Sequence, residues 1–290
     1  MTATWLRRCV EDEHHFLTEL WRTRPAVLRP TDPPVEAVTY AEIEQRLEDG
    51  LLKVPYIGLV QRDAHLPTER FCRPRVVLGE VFADYADAFQ VRALIRDEDA
   101  TVLLRYVDQW HQGARELARG LGAELGRQVE AFFFRTPPGT QGRPVHRDDA
   151  DVLAVQLTGS KRWLVHGGPA DGHWVPDRED GDPGDVLLDT VLQPGEVLYI
   201  PRGFAHSATA VGDEPSTHLS LTIREAATAN LYAFAQAVLA DTSYLPGRPL
   251  DDPALQAAAD DLLSHARLTL DSLTPEDLVA CTREAMRQSA

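Results

Sequence analysis

The sequence predicts an α+β protein whose core is a double-stranded β-helix, a jelly roll, with helices N-terminal to it and a helical region after it. Two observations carry this reading. From Val129 to Arg224, short apolar runs alternate with turns containing Gly and Pro, the texture of a barrel or jelly roll. On either side, apolar residues recur at helical spacing.

In chain order, Phe16 to Trp21 reads as a short helix stopped before Pro25, and Ala41 to Leu51 as another, with Ile43 and Leu47 on one face and Gly50 near its end. Leu52 to Phe82 carries short apolar runs between prolines and is expected to be strand and loop. Asp108 is placed to cap an amphipathic helix whose inner face is Trp110, Ala114, Leu117 and Leu121, closed by Gly126. The β-rich stretch follows, with strands expected at Val129 to Phe134, Val152 to Leu157, Trp163 to Val165, Val197 to Ile200 and Leu219 to Ile223. Helix returns after Arg224: a stripe of Leu231, Phe234 and Val238, then a helix from Asp252-Pro253 with Leu255, Ala259, Leu262 and Ala266 inward, then Thr274 to Asp277 as a capping box. The expected divisions are 1–95, a mixed segment packing on the core; 96–225, the catalytic core; and 226–290, a helical region suited to dimerisation.

The chain has 290 residues, 43% hydrophobic and 26% charged, enough for a sizeable core without staples. Its 45 acidic residues against 29 basic ones give a net charge of −16. That balance opposes nucleic-acid binding, which depends on Lys and Arg neutralising phosphates, and suits a basic peptide or protein partner. Cys9, Cys72 and Cys281 are scattered, with no zinc or disulfide spacing. Met1 to Arg8 runs into Glu11-Asp12-Glu13 without a signal-peptide core, and no run is long enough to span a membrane, so a cytoplasmic location is expected.

The chemistry is concentrated in Gly142-Arg-Pro-Val-His146-Arg-Asp148. Residues two apart in a strand face one way, so His146 and Asp148 offer an imidazole and a carboxylate to one point. Of ten histidines, only His146 has an acid at the second position after it. Asp149 and Asp151 have the opposite parity and read as surface or loop carboxylates. His206 follows Pro201-Arg-Gly203, a bend that aims its ring, and completes a 2-His-1-carboxylate triad, which leaves Fe(II) positions open for a cosubstrate and O₂. His218 lies in an alternating strand and reads as structural. Lys161 follows a turn at Gly159 and would enter the barrel, where a buried ammonium requires an anion such as the distal carboxylate of 2-oxoglutarate.

These pieces stand in Thr136-Pro-Pro-Gly-Thr-Gln-Gly-Arg-Pro-Val-His146-Arg-Asp148, Gln156-Leu-Thr-Gly-Ser-Lys161-Arg-Trp163, Leu192-Gln-Pro-Gly-Glu-Val-Leu-Tyr-Ile-Pro-Arg-Gly203 and Ser216-Thr-His-Leu-Ser-Leu-Thr222. In that order they resemble the JmjC-type ribosomal oxygenases, cupin-like protein hydroxylases, and most of all their histidyl-hydroxylase branch. The resemblance implies Fe(II), with 2-oxoglutarate and O₂ as cosubstrates, and a peptide or protein substrate with His or Arg as the favoured target. It implies that Lys161 meets 2-oxoglutarate with help from Ser220, that Thr222 lies nearer the substrate, and that the helices after the barrel make a homodimer. No winged helix is expected after them. Phe132 and Phe134 stand where the histidyl hydroxylases place polar residues, which admits a biosynthetic peptide as well as a ribosomal protein. Two alternatives remain: a small-molecule 2-oxoglutarate hydroxylase of natural-product synthesis, and a metal-binding cupin without 2-oxoglutarate, against which Lys161 speaks.

Overall fold

The computed structural model describes residues 4–61, 64–177, 182–239, 245 and 248–288. These fall into two compact units: the chain up to Leu125 with Val129–Arg224, and Gly126–Gln128 with Glu225 onward.

The first unit is built on strands numbered in chain order: β1 Ala26–Leu28, β2 Ile57–Gln61, β3 Ala64–His65, β4 Cys72–Val77, β5 Glu80–Ala86, β6 Thr101–Leu104, β7 Val129–Thr136, β8 His146–Arg147, β9 Asp151–Thr158, β10 Ser160–His166, β11 Val186–Leu192, β12 Val197–Ile200, β13 Ala205–Val211 and β14 Ser216–Ile223. An eight-stranded sheet runs β1-β12-β9-β14-β7-β6-β2-β3, a four-stranded sheet runs β11-β10-β13-β8, and β4-β5 form a separate hairpin. Every pairing is antiparallel, and the first two sheets are those of a double-stranded β-helix.

Alternation along the strands separates two cores. In β9, Leu153, Val155 and Leu157 join the large cluster that also holds Phe16, Leu20, Ile43 and Leu117 from the N-terminal helices. Val152 and Ala154 turn to the other face, where they meet Trp163, Val165, Leu192 and Ala208. β14 divides the same way. Leu219, Leu221 and Ile223 pack in the large cluster, which leaves His218, Ser220 and Thr222 on the inner face.

Glycines set the corners. Gly159 (φ +61°) turns β9 into β10, Gly195 (φ +89°) starts β12, and Gly203 (φ +80°) bends the chain before β13. The strand expected to carry His146 and Asp148 is only His146–Arg147, while Val186–Leu192 and Ala205–Val211 go beyond those expected, being flanked by Pro and Gly that mask the alternation.

Helices Trp5–Cys9 and Ala88–Glu98 go beyond those expected, and the expected ones deviate in three places. Phe16–Leu20 is a single π-helical turn following the short helix Glu13–His15. The helix expected from Asp108 is broken at His111 into Val107–Trp110 and Gln112–Leu125. Asp108 does not cap it, because its carboxylate instead accepts the Ala131 N–H at 2.7 Å and ties helix to sheet. The third concerns Asp252–Ser272, in the second unit: Leu255 and Ala259 are exposed, while Ala254, Ala258, Leu262 and Ala266 are half-buried. One-turn periodicity permits either stripe, and packing selects the smaller residues.

The second unit also contains helices Thr228–Leu239 and Pro275–Gln288. Thr274 and Asp277 form the expected capping box, with Oγ1 accepting the Asp277 N–H at 3.1 Å and the Asp277 carboxylate accepting the Thr274 N–H at 3.3 Å. Glu225 anchors this unit, taking Arg283 in two hydrogen bonds of 2.7 and 2.6 Å and Arg127 at 3.2 Å. No helix among the described residues is long and apolar enough to cross a membrane. Of the terminal and linker stretches covered by the expected divisions, residues 1–3, 240–244, 246–247 and 289–290 lie outside the described residues.

Candidate metal centre and cosubstrate cavity

β8 and β13 pair with His146 directly opposite His206, so both rings leave the sheet on one face with centroids 4.3 Å apart. Asp148, just past β8, completes the group. Its Oδ1 is 3.6 Å from Nε2 of His146 and its Oδ2 is 3.5 Å from Nε2 of His206. One ligand atom from each of the three residues lies within 4.8 Å of the others.

The tautomers are set by backbone carbonyls. His146 Nδ1 donates to Pro144 O at 2.8 Å and His206 Nδ1 to Phe204 O at 3.0 Å, since a carbonyl can only accept. Each Nε2 therefore presents a lone pair toward Asp148. Burial, with His206 adding to it, holds the His146 pKa down at about 3, and burial lowers that of His206. For Asp148 burial acts upward, but the two imidazoles and Arg143 outweigh it and keep the carboxyl low. At neutral pH the trio is two neutral imidazoles and a carboxylate, the protonation state and donor set that suit Fe(II).

These residues line a cavity of about 550 Å³ that also takes in Lys161, Phe132, Phe134, Ser220 and Thr222. Lys161 is 1% exposed. Its Nζ donates to Thr136 Oγ1 at 2.9 Å and lies 3.4 Å from His218 Nδ1. Burial pulls its pKa to about 7, with no carboxylate among the described residues to oppose it. An ammonium so placed matches an anionic ligand. Ser220, 6% exposed, makes no side-chain hydrogen bond among the described residues, whereas the Thr222 hydroxyl is 3.4 Å from the Glu130 carbonyl and carboxylate. Trp163 keeps a buried indole N–H without a partner among the described residues.

Two readings of the sequence need correction. His218 is not a bystander in its strand: it stacks on Phe134 at 4.7 Å, touches Lys161 and lines the cavity. The alternation that puts Ser220 and Thr222 inside puts His218 there too. Asp151 is no surface carboxylate but fully buried, accepting from Tyr199 OH at 2.8 Å and the Arg202 N–H at 3.2 Å, and ion-paired with Arg22 at 3.2 Å. Its neighbour Asp149 lines the cavity, bound to Arg202. Residues not singled out for the site include Thr136, Arg105 and Tyr106. Thr136 could have been found, since it opens the first motif, while the other two directly follow β6, outside any motif.

Comparison with known proteins agrees with this architecture. A model of the JmjC domain matches residues 114–231. Ribosomal oxygenase 1 of Gallus gallus is 30% identical over 274 residues, covering 88% of this chain and 43% of that protein. A protein of Aedes aegypti, the bifunctional lysine-specific demethylase and histidyl-hydroxylase NO66, is 24% identical over 299 residues, 93% of this chain and 44% of its own. The chain thus spans less than half the length of these relatives. Among solved structures, Escherichia coli ycfD superposes with a TM-score of 0.60 at 22% identity, over 92% of this chain and 69% of that one. The same ribosomal oxygenase in complex with cobalt and 2-oxoglutarate gives 0.57 at 24% identity, over 91% and 67%.

Proposed function

We propose, from the match of residues 114–231 to the JmjC domain and the likeness to ribosomal oxygenase 1, that the chain is an Fe(II)- and 2-oxoglutarate-dependent oxygenase that hydroxylates a side chain of a protein or peptide. One observation carries the proposal: a triad of two Nε2 lone pairs and a carboxylate shares a single cavity with a buried ammonium that has no acid partner among the described residues. His146, Asp148 and His206 would hold the iron. Bound Fe(II) with 2-oxoglutarate supplies the activation of O₂, one oxygen atom entering a C–H bond while the oxo acid leaves as succinate and CO₂.

The protein's own residues do the positioning. Lys161 would take the distal carboxylate of 2-oxoglutarate, with the Thr136 and Ser220 hydroxyls beside it as polar partners. Among the described residues no carboxylate competes for its charge. Phe132, Phe134 and Thr222 would line the approach of the target side chain. Among the described residues, the acids on that approach are already committed: Asp148 to the triad, Asp149 to Arg202 and Asp177 to Arg143 at 3.3 Å. A neutral histidine therefore suits the cavity better than an arginine, which would arrive with no free carboxylate to meet it.

A partner, an assembly and a location go with this reading. The net charge of −16 favours encounter with a basic protein. The divisions 1–95, 96–225 and 226–290, a homodimer through the last of them, and a cytoplasmic location with reduced cysteines complete it. The protein incubated with Fe(II), 2-oxoglutarate, air and candidate peptides should release succinate and add the mass of one oxygen atom to a peptide, read by mass spectrometry. Succinate release that no peptide stimulates, together with a product from a small molecule, would favour the small-molecule alternative.

A further inference from the structure

The cavity carries a second cationic feature apart from Lys161. Arg105 directly follows β6 and its main chain is tied down: the N–H donates to Tyr56 O at 2.8 Å and the carbonyl accepts from Trp110 Nε1 at 3.4 Å. The next residue, Tyr106, takes φ +52° and ψ +46°, a left-handed conformation that is strained for any residue but glycine. Strain kept in a cavity wall is characteristic of geometry held for use.

The guanidinium of Arg105 lies against Gly58 of β2, where a Cβ would come within 2.7 Å of Nη1. A side chain at residue 58 would push the guanidinium from this position. One of its five donors reaches Pro55 O at 3.2 Å, and among the described residues no carboxylate lies within ion-pair distance. Arg143 adds positive charge beside it, whereas the lowered pKa of His65 leaves that ring a neutral donor. Arg143 and His65 line the same cavity, and both Arg105 and His65 have their pKa values lowered first by burial and then by neighbouring arginines. Arg143 is itself engaged by Asp177 at 3.3 Å and by Asp148 at 3.8 Å, and Arg224 by Glu130 at 2.7 Å, so Arg105 is the guanidinium with donors to spare. A half-buried, underused guanidinium thus faces the cavity of a strongly acidic chain.

We propose that Arg105, with Arg143 and His65 in the same cavity, is the subsite for a carboxylate carried by the substrate, separate from the 2-oxoglutarate carboxylate at Lys161. The inference rests on the oxygenase reading and deepens it by naming a chemical group the substrate must present. A planar guanidinium grips a carboxylate through two parallel N–H···O bonds, and the fixed backbone of Arg105 sets their direction. The carboxylate comes either from an acidic residue of a peptide, beside the residue to be hydroxylated, or from a free organic acid. Long-range attraction of a basic partner is compatible with this, because the field of the whole surface governs encounter and the cavity governs recognition.

Equilibrium dialysis tests it. Protein loaded with Mn(II) as a redox-inert stand-in for iron, and with saturating 2-oxoglutarate, is dialysed against capped peptide pools with a central glutamate, the same pools with a central glutamine, and free glutarate. The glutamate pool should be retained at least about tenfold better than the glutamine pool, as expected for a charge-assisted pair. Arg105→Gln should bring the ratio near unity, and Arg105→Lys should recover part of it. Glutarate retained better than either pool supports the subsite with a free acid as occupant. Equal retention of the two pools without glutarate retention, or a preference that survives Arg105→Gln, overturns it. A wild type that fails to bind 2-oxoglutarate at all overturns the oxygenase reading and this inference with it, whereas one that binds it without preferring a carboxylate overturns the subsite alone.

Discussion

At the scale of single residues, Lys161 decides between an oxygenase and an ordinary metal-binding cupin. Charge-assisted bonds contribute about 1.5–3 kcal/mol, and each 1.4 kcal/mol is a decade of affinity. Lys161→Ala should therefore weaken 2-oxoglutarate at least about tenfold in a calorimetric titration, with iron retained. The pH dependence has a definite sign. The free protein holds Lys161 near pKa 7, and a bound carboxylate stabilises the ammonium and raises that value. Above about pH 7 binding must take up a proton, so affinity should fall by up to about tenfold per pH unit, and below it this dependence vanishes. Lys161→Arg, charged throughout, should lose the slope; a slope unchanged in Lys161→Arg would assign the titration to another group. Spacing made this residue legible, as it did His146, Asp148 and His206, because a strand's two-residue period and a Gly turn say which way a side chain points. Asp151 was misread for a related reason. Its partners Arg22, Tyr199 and Arg202 are remote in sequence, and only the fold brings them together.

At the scale of elements, the β9–β10 hairpin carries Lys161 inward from Gly159. That glycine sits at φ +61°, and a Cβ there would run into the Pro215 carbonyl oxygen and the Ser216 backbone. Gly159→Ala should cost about 1–3 kcal/mol in a denaturant titration and weaken 2-oxoglutarate, because the hairpin would have to shift. Stability and affinity both matching the wild type would show that the turn does not set Lys161. The turns at Pro194-Gly195 and Pro201 to Gly203 were equally readable, since Gly and Pro mark backbone requirements directly. The end of β8 before Asp148 and the whole of β13 were not, because His146–Arg147 is two residues long and its pairing with Ala205–Val211 is non-local. The break at His111 escaped for the same reason: the pull on Asp108 comes from Ala131 in another element.

At the scale of the whole molecule, the two sheets supply a rigid frame and the C-terminal unit supplies exposed apolar surface. No residue of Thr228–Leu239 or Asp252–Ser272 is buried, and Tyr232, Leu255, Leu263, Leu268 and Leu270 are all exposed. Apolar surface of this extent is usually covered, so light scattering should give a dimer at micromolar concentration, and a pair of charged substitutions such as Leu263→Glu with Leu268→Glu should yield monomer. A wild-type monomer would contradict it. The central claim, that triad and lysine together form an iron and 2-oxoglutarate site, is tested most directly by anaerobic calorimetric titration of 2-oxoglutarate into Fe(II)-loaded and metal-free protein. The account predicts one equivalent bound to the iron-loaded protein and affinity at least about tenfold weaker without the metal, since the ligand then keeps only its contact with Lys161. Equal affinity with and without iron, or no binding to the iron-loaded protein, would contradict it.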